Sequence, residues 1–323
     1  MIHVTARSFV SVLVALLASA GCSEVVNGPG DNQNDGSGIT GSASVLVFVS
    51  ERDEDRELFR IDPDGSDLQQ LTNNSSEDTR PDCAVDGSRI AFRSERHGDL
   101  SDDLYTMSVD GGDVTRLTNR SDHNDRLATW GPDGNRIAFG TQDRAQFGEP
   151  SDRLALMDPD GSNIRGAGDS ISAGVYMDWS PEGAGIAVSV DVPPADQGQG
   201  WDLVRTDTLG NWTALHEDTT VSATHPAWST TSSRLAYVEA DPDGAYADIY
   251  TMARDGSDRT PVLTHDSLDV FPAWSPDGSR LAFSSNRSGN YEIYVADTDG
   301  SNVQQVTDNS ARDFLPAWCQ PSN

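Results

Sequence analysis

Pro272-Ala-Trp-Ser-Pro-Asp-Gly-Ser-Arg-Leu-Ala-Phe283 reads as a strand end, a tight turn and a second strand. Pro276-Asp277-Gly278 carries the turn: proline presets φ, and glycine takes the left-handed position. Four more segments align with it without gaps, at Pro81–Phe92, Ala128–Phe139, Met177–Val188 and Pro226–Tyr237. The tryptophan column runs Cys83, Trp130, Trp179, Trp228, Trp274 and Trp318, with spacings of 47, 49, 49, 46 and 44 residues. Periods of this size, each holding several short strands, point to a β-propeller.

Each period supplies four strands, A to D. Strand A ends at the tryptophan column and strand B is the Arg-Leu-Ala-Phe segment. Strand C holds pairs such as Leu104-Tyr105 and Ile293-Tyr294, each followed by an Asp-Gly turn. Strand D ends at Leu117-Thr118, Leu263-Thr264 and Val306-Thr307. Pro316-Ala-Trp318 is a strand A with no strand B after it, while Ser44–Thr72 supplies strands B, C and D with no strand A before them. One blade is therefore shared between the two ends. The expected fold is all-β: six four-stranded blades in a closed ring over residues 44–323, with no exposed sheet edge left by an open stack.

Composition agrees. The chain has 323 residues, 36% of them hydrophobic, with 29 Gly and 16 Pro, which suits many short elements joined by turns. It carries 52 Asp and Glu against 22 Lys and Arg, all 22 being arginine, for a formal net charge of -30. A field of that sign repels nucleic acid and anionic membranes, so neither is an expected partner.

Residues 1–21 hold one charged residue, Arg7, an apolar run over Phe9–Ala20 and a small-residue exit before Cys22. This resembles a bacterial lipoprotein signal, differing from the usual pattern at Ser19. The resemblance implies lipidation at Cys22; an ordinary cleaved signal is the alternative. Residues 22–43 are rich in Gly, Asn, Asp and Ser and read as a flexible tether.

The stretch 272–307, with its Pro-Ala-Trp-Ser-Pro-Asp-Gly, Ser-Asn-Arg-Ser-Gly-Asn-Tyr-Glu-Ile-Tyr and Asp-Gly-Ser-Asn elements, resembles the repeat of TolB-type β-propellers. TolB proper carries a further N-terminal α/β domain that this sequence does not show. The resemblance implies a cell-envelope binding platform, on the periplasmic side of the outer membrane or at the cell surface. The expected partner is an envelope protein or peptide, the membrane is touched through the lipid alone, and a monomer is expected. Some TolB-like propellers are polysaccharide lyases holding a metal with histidines, which supplies an enzymatic alternative; a purely structural envelope protein is the third.

Strand parity puts the A–B and C–D turns on one face and the B–C and D–A loops on the other. The second face is the more varied: strand B to strand C spans 10 residues after Phe283 but 15 after Phe139 and after Val188. Four acids, Asp78, Asp125, Asp269 and Asp313, each stand three residues before the proline column on that face. Two readings are open for them. They pair with arginines such as Arg52, Arg96 and Arg287, or they ring the channel mouth as a site for a divalent cation or a basic partner segment. His97, His123, His216, His225 and His265 share the face but fall in different blades without ligand spacing. No catalytic motif is evident and no cofactor is expected beyond such a cation. Cys83 and Cys319 lie in neighbouring blades, and a disulfide between them is a geometric option in an oxidising compartment.

Overall fold

The computed structural model describes residues 44–97, 101–143, 153–167, 176–191, 201–216, 218, 220–241 and 246–320. The signal segment, the tether and Cys22 lie outside the described residues. Those described form six four-stranded antiparallel sheets. Blade 1 takes strand A from Asp313–Cys319 and strands B to D from Val45–Ser50, Glu57–Ile61 and Gln69–Gln70. Its two ends pair in register, Leu46 with Trp318 and Ser50 with Asp313. The shared blade expected from the repeat is thus present.

Blades 2 to 6 follow in chain order, with strands A at Asp78–Cys83, His123–Trp130, Met177–Trp179, Ser222–Trp228 and Asp269–Trp274. Each strand A contacts the strand A of the next blade, and the last contacts the first, so the inner ring closes. Strand B is buried on both faces, as Val45–Ser50 shows, because blades cover it from either side. Strand D is short and exposed, as at Gln304–Gln305. Apolar clusters run across blade boundaries. Trp318, for example, packs with Leu46 and Phe48 of its own blade and with Ala282 and Ile293 of blade 6.

The Asp-Gly turns do more than reverse the chain. Gly300 has φ +82°, and a Cβ there would lie 2.0 Å from the Val262 carbonyl oxygen of the preceding blade. Gly161 meets Leu117 of its preceding blade in the same way, at 2.3 Å. Glycine is needed for the left-handed turn and again for blade-to-blade approach.

Candidate functional site

The arginines that follow strand B build one module repeatedly. In blade 2, Arg96 lies over the Tyr105 ring at 4.9 Å and donates from Nη2 to Asp78 at 2.8 Å and from Nε to the Ser94 hydroxyl at 2.9 Å. In blade 1, Arg52 does the same over Phe59, to Asp313 and Ser50; in blade 6, Arg287 does so over Tyr294, to Asp269 and Ser285. The guanidinium gains charge on its edge and an aromatic face beneath. Blade 3 fills the place from the other side: Arg120, in the loop before strand A, reaches Asp125 and the Thr141 hydroxyl.

All four predicted carboxylates are fully buried, with no accessible surface. They therefore form a ring of covered ion pairs and not of open carboxylates. Blade 5 keeps the charges while exchanging their positions. Ala223 stands where four other blades have aspartate, and its cross-strand partner Glu239 stands where those four have serine or threonine. Arg259 supplies the cation, bonding Glu239 and the Tyr237 hydroxyl.

A second acid stands behind two of these pairs. Glu57 of blade 1 lies against Asp78 of blade 2, with the Asn74 amide donating to Asp78 and the Asn74 backbone N–H to Glu57. Burial, and then the Asp78 charge, push Glu57 up to about 7. Glu292 beside Asp313 repeats the arrangement, pushed up to about 7 chiefly by burial.

The channel itself is lined by residues outside that acidic set. Just before the proline column, five inner strands carry a bulge whose residue is left-handed: Arg80, Leu127, His225, Phe271 and Leu315, with φ between 53° and 60°. The strand register shifts by one at each. Such a conformation costs a branched or bulky residue roughly 1–2 kcal/mol. Tyr176 holds the corresponding place in blade 4. These side chains meet across the lumen. The His225 ring lies 3.7 Å from that of Tyr176 and edge-on to Phe271 at 4.5 Å, and Arg80 sits over Tyr176 at 4.9 Å. Burial and the Arg80 charge hold His225 well below the usual imidazole range, so it is neutral. Its Nδ1 is 2.7 Å from the Thr224 hydroxyl, and its Nε2 has no hydrogen-bond partner. Burial also lowers Arg80, with Arg93 and Arg126 adding like charge, while a hydrogen bond to Tyr176 acts the other way.

Lower in the same strands, Asp82 accepts the Trp130 backbone N–H at 2.7 Å and Asp178 accepts that of Trp228 and the Thr129 hydroxyl. Burial raises both, Asp82 to about 8 with help from the Asp178 charge and Asp178 to about 7.

The five histidines are not brought together. His97 bonds the Tyr105 hydroxyl, His123 bonds Asp122, His216 lies between Asp202 and Glu239, and His265 accepts the Ser267 N–H. Among the described residues, no three His, Cys, Asp or Glu are grouped to hold a metal ion. Cys83 and Cys319 form a disulfide with Cα atoms 5.4 Å apart, joining the inner strands of blades 2 and 1. The bulge column is absent from the expectations above, although it shows in the alignment. Between columns that repeat, Arg80, Leu127, Tyr176, His225, Phe271 and Leu315 share no single side-chain type.

The sequence matches the TolB beta propeller domain over residues 7–151 and 188–323. The chain belongs to this family. Its TolB-like repeats share 40% identity over 79 residues with the Tol-Pal system protein TolB of Hahella chejuensis, covering 24% of this chain and 18% of that protein. A match at 29% over 103 residues to the uncharacterized peptidase YuxL of Bacillus subtilis covers 30% of this chain and 16% of that one. The shared stretches span less than a fifth of either relative. Among solved structures, TolB from Acinetobacter baumannii superposes with a TM-score of 0.70 at 17% identity, over 86% of this chain and 67% of that one. An oligogalacturonate lyase from Vibrio parahaemolyticus gives 0.55 at 13%, over 82% and 74%. At these identities the likeness is one of fold.

Proposed function

We propose that this TolB-like propeller is a non-catalytic platform of the bacterial cell envelope, anchored by lipid at Cys22, that receives a protein or peptide segment at the lumen of its loop-rich face. The observation that carries the reading is the bulge column. Five strained, left-handed backbones repeat around the channel, yet the residues on them are cationic, aromatic and aliphatic in turn. A fold-determined position would repeat its side chain as it repeats its backbone, as the arginine module does. Strain kept at a position of varied chemistry points to recognition. The covered acids leave a basic segment little to bind there, and a divalent cation would have to displace an arginine from each of them. The platform needs no cofactor. Likeness to a lyase is a likeness of fold and brings no activity with it.

A photo-crosslinking residue at Leu315 in the lumen, compared with one at Trp212 on the outer rim, tests the reading in envelope fractions. The expected result is one defined crosslinked partner from Leu315, lost when Phe271 is replaced by alanine in a protein that still melts cooperatively. Equal labelling from both positions, or none from the lumen, refutes it. A pectate-type lyase assay with added divalent metal belongs beside it, and turnover there would replace the platform with an enzyme.

A further inference from the structure

We propose that the part of the lumen lined by Arg80, Tyr176, His225 and Phe271 is a receptor for one carboxylate, carried on a chain end or on an acidic side chain of the segment that enters. The inference rests on the platform reading and specifies its ligand.

The first support is an unanswered donor. His225 is 4% exposed and neutral, so one ring nitrogen carries hydrogen. Nδ1 is paired with the Thr224 hydroxyl and Nε2 has no partner; we assign the tautomer in which the hydroxyl donates to Nδ1 and Nε2 carries the hydrogen. Nδ1 is held at the wall by Thr224, whereas Nε2 is the ring nitrogen farther from the backbone, in a ring packed against Tyr176 and Phe271. A buried donor left unmade costs about 1–3 kcal/mol, and an acceptor entering the lumen recovers it.

The second support is the sign of the charge. The protein carries a net charge of -30, yet this part of the lumen presents the Arg80 guanidinium, with Arg93 and Arg126 acting on it from nearby while each is itself paired with Asp102. Blades 2 and 5 stand opposite in a ring of six, so Arg80 and His225 approach from opposite walls, each within 5 Å of the Tyr176 ring centre. A cation is repelled by the Arg80 charge, and an apolar guest leaves Nε2 unsatisfied. A planar carboxylate accepts from a guanidinium and an imidazole N–H at once, and the Tyr176 and Phe271 rings suit the carbon chain behind it.

Three probes test this on the purified propeller with 15N-labelled histidine: N-acetyl-Gly-Gly-Phe as free acid, the same peptide as its amide, and N-acetyl-Gly-Asp-Gly amide. The free acid, the aspartyl peptide or both should shift the His225 imidazole signals saturably while the neutral amide does not. Whichever acid binds identifies the source as chain end or side chain. Arg80→Met should weaken binding at least tenfold. Equal shifts from acid and amide, no shift from either acid, or an unchanged affinity in Arg80→Met overturns the proposal. The acid-against-amide comparison uses the unmodified protein and does not depend on the variant folding. A partner crosslinked at Leu315 with no acid probe bound would sink the carboxylate alone, whereas acid binding without any partner would sink the platform alone.

Discussion

Replacing Glu57 by glutamine should abolish a pH-dependent weakness of the fold. Glu57 is 1% exposed, lies against Asp78 and holds its proton up to about pH 7, where an unfolded glutamate releases it near 4.5. The folded chain thus binds one more proton than the unfolded chain between those two values. Stability must fall as pH rises through that window: it is fully present below 4.5 and fully lost above 7. At 1.36 kcal/mol per unit, the loss is about 3 kcal/mol. With an unfolding entropy of ~2.1 cal/mol/K per residue over about 280 residues, that is roughly 5–6 °C in Tm. Glutamine stays neutral at every pH. Its oxygen can still accept the Asn74 N–H, and its amide can donate to Asp78 as the protonated acid does. Calorimetric Tm values for wild type and E57Q, taken from pH 4.5 to 8, should coincide at the acid end and diverge steadily to about 5 °C in favour of the variant. Using the difference between the two proteins cancels the general self-repulsion of a chain with net charge -30. A gap that stays constant across pH would refute the proton held on Glu57.

Arg287→Met leaves Asp269 buried without its cation, and guanidinium unfolding should show a loss of about 3–5 kcal/mol; adding Asp269→Asn should recover a substantial part. Gly300→Ala combines a left-handed φ with a Cβ 2.0 Å from the Val262 oxygen and should cost at least about 2 kcal/mol. Gly134→Ala, also left-handed but with nothing within 4 Å, should cost only about 1 kcal/mol by the same measurement. Opening the Cys83–Cys319 bond with a thiol reductant should lower stability by about 2–5 kcal/mol, read as a shift in the denaturant midpoint absent from a protein with both cysteines replaced by serine.

The ring of blades is legible in the sequence because its determinants are local and repeated. Pro-Asp-Gly sets a turn, Trp274 and its counterparts mark a strand end, and six copies fix the closure. The arginine module was half legible. Arg52, Arg96 and Arg287 keep a fixed spacing from strand B, but Arg120 arrives from a different loop and Glu239 from the opposite strand of the pair. Only cross-strand register shows that Ala223 and Glu239 have exchanged roles. The lumen was hidden by the bulges. One extra residue in strand A reverses which side chains face inward, so a strict alternation extended through Arg80 or Phe271 misplaces everything beyond it. The glycines of the Asp-Gly turns are legible as turn residues, which is correct for φ but silent about the neighbouring blade they touch.

The disulfide turns most of the propeller into a hoop. Because it joins Cys83 to Cys319, everything between those residues is one covalent loop, containing blades 3 to 6, the outer three strands of blade 2 and the inner strand of blade 1. The remaining three strands of blade 1 lie outside it, as does the inner strand of blade 2 up to Asp82. A force applied at the two chain ends can therefore peel residues 44–82 from the ring, on the order of 130 Å of extended chain, and must then stop. Four complete blades and the outer strands of blade 2 stay enclosed however hard the ends are pulled, until the sulfur bond is reduced. Under mechanical load blade 1 and the inner strand of blade 2 are a yielding link in series with an inextensible loop.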